Sequence, residues 1–173
     1  MMLEGGAMSR PDVVLRTAEL ADAAAIEAIY RPYVLASTAT FDIEPPGLEA
    51  RQAWLTDRAP QHPVVVAEAD GGVIGWGSLS EYRSRAGWRL TAEIAVYVAE
   101  DERSSGVGSA LVAELVDRGR TAGLHAIVSQ IVAGNEPSIR LAERAGFVRV
   151  GSLREVGLKF DRWLDVEILE LIL

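Results

Sequence analysis

The chain has 173 residues, of which 49% are hydrophobic, enough for one compact domain with an apolar core. A net charge of −8 argues against a nucleic-acid-binding surface, and the lack of cysteine excludes disulfides, a cysteine nucleophile and thiolate metal sites, as expected of a cytoplasmic protein. No segment approaches the roughly 20 apolar residues of a membrane span.

Residues 1–12 read as a flexible N-terminal tail without the apolar run of a signal peptide, and residues 13–173 as a single domain. Val13 to Arg16 predicts a first strand. Leu20 to Leu35 predicts a helix, with Ile26, Ile29, Tyr30 and Tyr33 on one stripe and Pro32 kinking or ending its regular part. Ser37 to Ile43 reads as a polar loop closed by Pro45-Pro46-Gly47, and Leu48 to Arg58 as a second helix. Strands follow at Val64 to Ala67 and Val73 to Leu79, joined by Asp70-Gly71-Gly72, which has hairpin-turn chemistry. Glu81 to Arg89 is a loop, and Leu90 to Val98 a long strand. A glycine-rich turn then opens a helix that stops near Ala122-Gly123. Ala126 to Val132 is a strand, Asn135 to Ala145 a helix, and Phe147 to Leu153 and Trp163 to Leu173 are closing strands. The order β, α, α, β, β, β, α, β, α, β, β is a mixed α/β (α+β) order, neither regularly doubly wound nor a barrel.

Three features carry chemistry. The first is the turn Arg103-Ser104-Ser105-Gly106-Val107-Gly108-Ser109 between a strand and a helix. Glycines let the backbone approach a ligand, and the first helical N–H groups and the helix dipole favour an anion there, so the turn reads as a phosphate or pyrophosphate cradle. The second is Glu93, a carboxylate in a mostly apolar strand. It is either a solvent-facing residue of an alternating strand or a general base whose burial raises its pKa. The third is the set Arg83, Arg85 and Arg89 just ahead of that strand, whose planar guanidinium groups suit a substrate carboxylate. The two histidines, His62 and His125, lie outside metal-ligand spacing, so no metal is expected.

Arg103-x-x-Gly106-x-Gly108 after an apolar strand, followed by Asn135-x-x-Ser138-Ile139 and Ala145-Gly146-Phe147, resembles the two conserved blocks of the GNAT superfamily of N-acetyltransferases. Tyr30, Ser37 to Phe41, Glu44-Pro45-Pro46, Thr91-Ala92-Glu93 and the run from Leu153 to Asp165 resemble its phosphinothricin/methionine sulfoximine acetyltransferase branch, from about Val14 to the C-terminus. The resemblance implies a single GNAT-like domain with a mixed, mostly antiparallel sheet flanked by helices. It implies acetyl-CoA as co-substrate, a small amino-acid-like amine as acceptor, and a homodimer with no nucleic-acid or membrane partner. Glu93 is then the base. Val96, Tyr97, Val98, Arg103, Ser104, Ser105, Gly106, Val107, Gly108, Ser109, Asn135 and Ser138 meet acetyl-CoA, with the backbone of Tyr97 and Val98 polarising the thioester. Phe41 walls the acceptor pocket beside Arg83, Arg85 and Arg89, while Lys159, Trp163 and Asp165 serve as scaffold or dimer contacts. Three positions depart from the branch. Ala142 stands where it carries histidine, Ser105 where it carries a further cation, and Asp161 where it carries glycine. The rival readings are a non-catalytic acyl-CoA-binding module and an acetyltransferase for another amine, such as a polyamine or a peptide N-terminus.

Overall fold

The structure is a computed structural model that describes residues 13–173; the expected tail, residues 1–12, lies outside the described residues. Strands β1 (Val14–Thr17), β2 (Val64–Ala69), β3 (Gly72–Glu81), β4 (Thr91–Val98), β5 (Ala126–Val132), β6 (Val148–Lys159) and β7 (Arg162–Ile172) form one sheet in the order β1-β2-β3-β4-β5-β7-β6. Every neighbouring pair is antiparallel except β4 and β5, which run parallel. Helices α1 (Ala23–Ala36), α2 (Leu48–Thr56), α3 (Val107–Thr121) and α4 (Glu136–Arg144) cover it.

Two apolar clusters divide the core. On one face Leu111 and Leu115 of α3 and Ile139 of α4 pack with Leu79, Ala92, Ile127 and Leu169. On the other, Ile26, Ile29, Tyr30 and Val34 of α1 pack with Val64, Val66 and Trp76. The alternation of side chains along a strand explains the division: Val64 and Val66 of β2 serve the second cluster, while Val65 and Ala67 serve the first. A strand covered on both faces reads as a continuous apolar run, as β2 does.

The elements expected from the sequence are present, with three differences. Helix α1 runs through Pro32 without ending. The proline removes one helical N–H and crowds the carbonyl of Ala28, but the turn beyond it is anchored by the buried Val34 and by the Tyr33 hydroxyl, which donates to the Val98 carbonyl at 2.7 Å. Helix α2 stops at Thr56, and Arg58 instead turns its guanidinium to the carbonyls of His62 and Leu79 and to Ser80. Strand β6 extends to Lys159, because a bulge between Leu153 and Gly157 absorbs Arg154-Glu155-Val156 and restores the register. Glu155 takes a positive φ of 53° in the bulge, and its N–H donates to Asp165 Oδ1 at 2.8 Å. The β6–β7 turn places Phe160 and Asp161 at φ of 52° and 56°, so Asp161 adopts the left-handed conformation that glycine takes most readily.

Candidate active site

The site grows from the one parallel pair. Strands β4 and β5 are in register only at Thr91↔Ala126, Ala92↔Ile127 and Glu93↔Val128. Beyond that, β4 continues against β3 alone and β5 against β7 alone, so the sheet splays open. The ladder geometry says which groups face the gap. Ala99 N–H bonds the Ile74 carbonyl directly opposite, so the alternating hydrogen-bonded pairs of β4 with β3 include Tyr97↔Trp76 and Glu93↔Ser80. The backbone groups of Ile94, Val96 and Val98 therefore point toward β5. Likewise Ala133 N–H bonds the Asp165 carbonyl, which directs the backbone of Gln130 and Val132 toward β4. Val96 and Val98 thus line the gap with their main chain, whereas the main chain of Tyr97 is engaged by β3.

At the wide end of the gap β4 leads through a short 3-10 turn, Glu100–Glu102, into the glycine turn. Ser104 at φ 66° and Gly106 at φ 95° turn the chain into the first turn of α3, with Gly106 at its N-cap. A non-glycine residue at Gly106 would strain the backbone. Among the described residues, the N–H groups of Ser104, Gly106, Val107, Gly108 and Ser109 have no partner, and no side chain caps α3. Ser105 is arranged differently: its N–H and its hydroxyl both bond the Glu102 carbonyl, at 3.3 and 2.6 Å. Arg103 lays its guanidinium over the Tyr33 ring, 4.9 Å from the centroid, with Nε donating to the Tyr33 hydroxyl at 3.3 Å. On the opposite arm, the Asn135 side chain accepts from Ser138 N–H and caps α4. Ala142 is buried in the main apolar cluster.

At the narrow end lies Glu93. Ala92, Ile94, Val96 and Val98 belong with the α3 side, so the alternating Glu93 and Tyr97 face the α1 side. Glu93 is half-buried, and Gln130 Nε2 donates to its Oε1 at 3.0 Å across the splay. Burial pushes the Glu93 carboxyl above the ordinary glutamate range, and the Gln130 hydrogen bond and the charge of Arg83 pull it part of the way back. Burial also pushes the Tyr97 phenol up to about 12, so it keeps its proton at neutral pH. Arg83 is exposed and stacks on the Tyr82 ring, 4.9 Å from its centroid, and its charge reaches Glu93 without a hydrogen bond or ion pair between them. Arg85 and Arg89 are exposed and make no side-chain bond among the described residues.

A strap, residues 37–43, is held between α1 and β6. From α1, the Tyr30 hydroxyl meets Thr40 Oγ1 at 2.6 Å and Asp42 Oδ2 at 2.7 Å. From β6, the buried Lys159 donates to the Thr40 carbonyl at 2.7 Å and to the Tyr33 carbonyl at 3.5 Å. Phe41 sits on Gly157, where a Cβ would run into its ring. Lys159 is therefore a tether of the strap; burial lowers its pKa, and the nearby Asp42 opposes that. Sequence reasoning did not single out Gln130, although a polar residue in the apolar run Ala126 to Val132 carries the same signal that marked Glu93.

No group of metal-ligating side chains occurs among the described residues, and no helix there is long and apolar enough to cross a membrane. Residues 25–147 match the model of the Acetyltransferase (GNAT) family. An L-methionine sulfoximine/L-methionine sulfone acetyltransferase of Pseudomonas aeruginosa is 42% identical over 159 residues, covering 91% of this chain and 92% of that one. An L-amino acid N-acyltransferase of Escherichia coli is 38% identical over 158 residues, with 91% and 92% covered. The crystal structure of a phosphinothricin acetyltransferase from Sinorhizobium meliloti in complex with acetyl-CoA superposes with a TM-score of 0.88 at 34% identity, over 93% of this chain and 88% of that one. A splayed mixed sheet with a glycine turn at its mouth, matched over most of its length by acetyltransferases, makes this chain a member of the GNAT acetyltransferase family.

Proposed function

We propose that this protein transfers the acetyl group of acetyl-CoA to the α-amine of a small amino acid or amino-acid analogue of the methionine sulfoximine, methionine sulfone or phosphinothricin type, acting as a cytoplasmic homodimer. The observation that carries the reading is the gap between β4 and β5, whose lips present main-chain groups of Val96 and the N–H of Val98, the Val98 carbonyl being held by the Tyr33 hydroxyl. Buried main-chain groups need partners, and the pantetheine arm of acetyl-CoA is an extended chain with amides of its own. The free N–H groups of Ser104 and of Gly106 to Ser109, with the positive end of the α3 dipole, suit its pyrophosphate. Arg103, Ser105, Asn135 and Ser138 act on this half by shaping the turn and the α4 terminus. The names of the relatives support the acceptor class.

The reaction needs a neutral amine held against the thioester carbonyl: the N–C bond forms, the C–S bond breaks, and the thiolate leaves with the electron pair. Glu93 takes the amine proton, directly or through water. Its raised pKa suits that task, since a base is most useful when its pKa lies near the working pH. Arg83 meets the acceptor carboxylate, and Phe41 on its strap walls the pocket. Ala142 supplies no proton, and with a pKa of about 8.5 a thiol leaves as thiolate without one. The dimer is supported by the long edge strand β6, which with the adjoining turn and strand exposes Val148, Val150, Leu158, Phe160 and Trp163; such an edge calls for a cover.

The test is thiol release from acetyl-CoA over a panel of methionine sulfoximine, methionine sulfone, phosphinothricin, the common amino acids, a polyamine and a peptide. Turnover on the amino-acid analogues is expected. Stabilisation by acetyl-CoA without turnover on any amine would establish a non-catalytic module instead, and turnover confined to the polyamine or peptide would overturn the acceptor class.

A further inference from the structure

We propose that Gln130 is a positioning residue for the acetyl transfer: its side-chain amide, reaching from β5 across the splay, holds Glu93 ionised and aimed at the acceptor amine. The inference rests on the reading of Glu93 as the base. Its grounds are geometric. Gln130 is the one exposed residue in a strand otherwise buried along its length. It lies beyond the last pair of β4 with β5, on the face that Glu93 shares, because Val128 pairs with Glu93 and Gln130 follows Val128 on the same face. Its amide donates to Glu93 Oε1 at 3.0 Å and makes no other side-chain bond among the described residues.

The direction of this bond has a consequence. An ionised carboxylate only accepts, so Gln130 must offer it the nitrogen. A hydrogen bond donated to the charged form favours that form and opposes the desolvation of a half-buried site. The amide oxygen of Gln130 is left free to accept an N–H of the incoming amine. With one N–H given to Glu93 and another to Gln130, the nitrogen lone pair is left for the thioester.

Other groups face Glu93 from each neighbouring element. Arg83 comes from the loop after β3, and its charge also favours ionisation. Tyr97 lies on β4, on the same face, and stays a neutral phenol at working pH. Ser80 lies opposite on β3 and is held by Arg58. Glu170 of β7, the partner of Val128, is a carboxylate on the same face, two strands from Glu93. Among these, Gln130 is the group whose hydrogen bond to the Glu93 carboxylate is formed in the structure.

The test follows Glu93 in two ways in wild type, Gln130→Leu, Gln130→Glu and Glu93→Gln. One is a carbon-13 NMR titration of the Glu93 carboxyl in the free protein; the other is the pH profile of kcat/KM for one accepted amino-acid analogue. Gln130→Leu is expected to move both the titration and the acidic limb upward by about one pH unit, with activity recovering at higher pH. Gln130→Glu places a like charge against Glu93 and moves both further in the same direction. A uniform loss of kcat/KM at every pH, with the Glu93 titration unmoved, overturns the proposal. Both variants are read by titration, so a weakly active one still decides. If Glu93→Gln removes the acidic limb while Gln130→Leu leaves it in place, the inference about Gln130 alone fails. If Glu93→Gln retains the limb, Glu93 is not the base and both readings fall.

Discussion

The two ends of the splay are built from different materials. The wide end, which suits acetyl-CoA, is made of main chain: the edge groups of Val96 and Val98 and the free N–H groups of the turn into α3. The other half of the site, which takes in the narrow end and the strap and is proposed for the acceptor, is made of side chains carried by six separate parts of the chain: Tyr30, Phe41, Arg83, Glu93, Gln130 and Lys159. A main-chain site depends on where the backbone turns and tolerates many side chains. A side-chain site depends on each residue and on what holds it. The first is suited to a co-substrate common to a family, the second to acceptors that differ among its members.

Substitutions at the two ends should therefore fail in different parameters. The largest effect is expected from Glu93→Gln, which should lower kcat by about 10²–10⁴-fold while leaving acetyl-CoA affinity by calorimetry unchanged. A loss of acetyl-CoA binding in this variant would erase the distinction between the ends. Arg83→Gln should come next, with roughly a ten- to hundredfold rise in the acceptor KM, the worth of a hydrogen bond between charged groups. An acceptor whose carboxylate is blocked as an ester should be indifferent to it, and Arg85→Gln should have little effect on either. Gly106→Ala, which forces a β-carbon into a φ of 95°, should weaken acetyl-CoA about tenfold and leave the acceptor KM alone.

The main-chain end was the more legible in the sequence, for a physical reason. Gly106 and Gly108 at fixed spacing after an apolar strand mark a backbone path, and a backbone path is local. Even so, the spacing did not reveal that Ser105 turns inward, that Arg103 lies on Tyr33, or that Tyr97 directs its main chain to β3; these depend on packing partners far along the chain. The acceptor end was legible only where a charge stood in an apolar strand, as with Glu93. Gln130 had the same signature but no charge to draw attention. The strap was legible as a loop, Ser37 to Ile43, but its tether was not, because that depends on Lys159 bonding Thr40, 119 positions away in sequence. Pro32 shows the opposite limit: a local breaker overridden by the burial of Val34 and the anchoring of Tyr33.

Two smaller effects sharpen the comparison further. Lys159→Met keeps the bulk but leaves the Thr40 carbonyl without its donor, so it should lower stability by about 1–3 kcal/mol in thermal unfolding. It should also raise the acceptor KM several-fold with no change in acetyl-CoA affinity. Asp161→Gly relieves an L-residue at φ 56° in the β6–β7 turn and should raise stability by about 0.5–1 kcal/mol, with kinetics unaltered. A kinetic change there would mean that the turn acts on the site and not only on the fold.

The short register of β4 with β5 has a mechanical meaning. Three residue pairs join two stiff arms at one end, so any opening or closing of the arms turns about that joint, and displacement grows with distance from it. Glu93 belongs to the last of those pairs, at the fulcrum, while the glycine turn rides near the far tip of its arm. The tips can yield to admit a long, jointed molecule and let its remnant go, while Glu93, the base proposed above, scarcely moves.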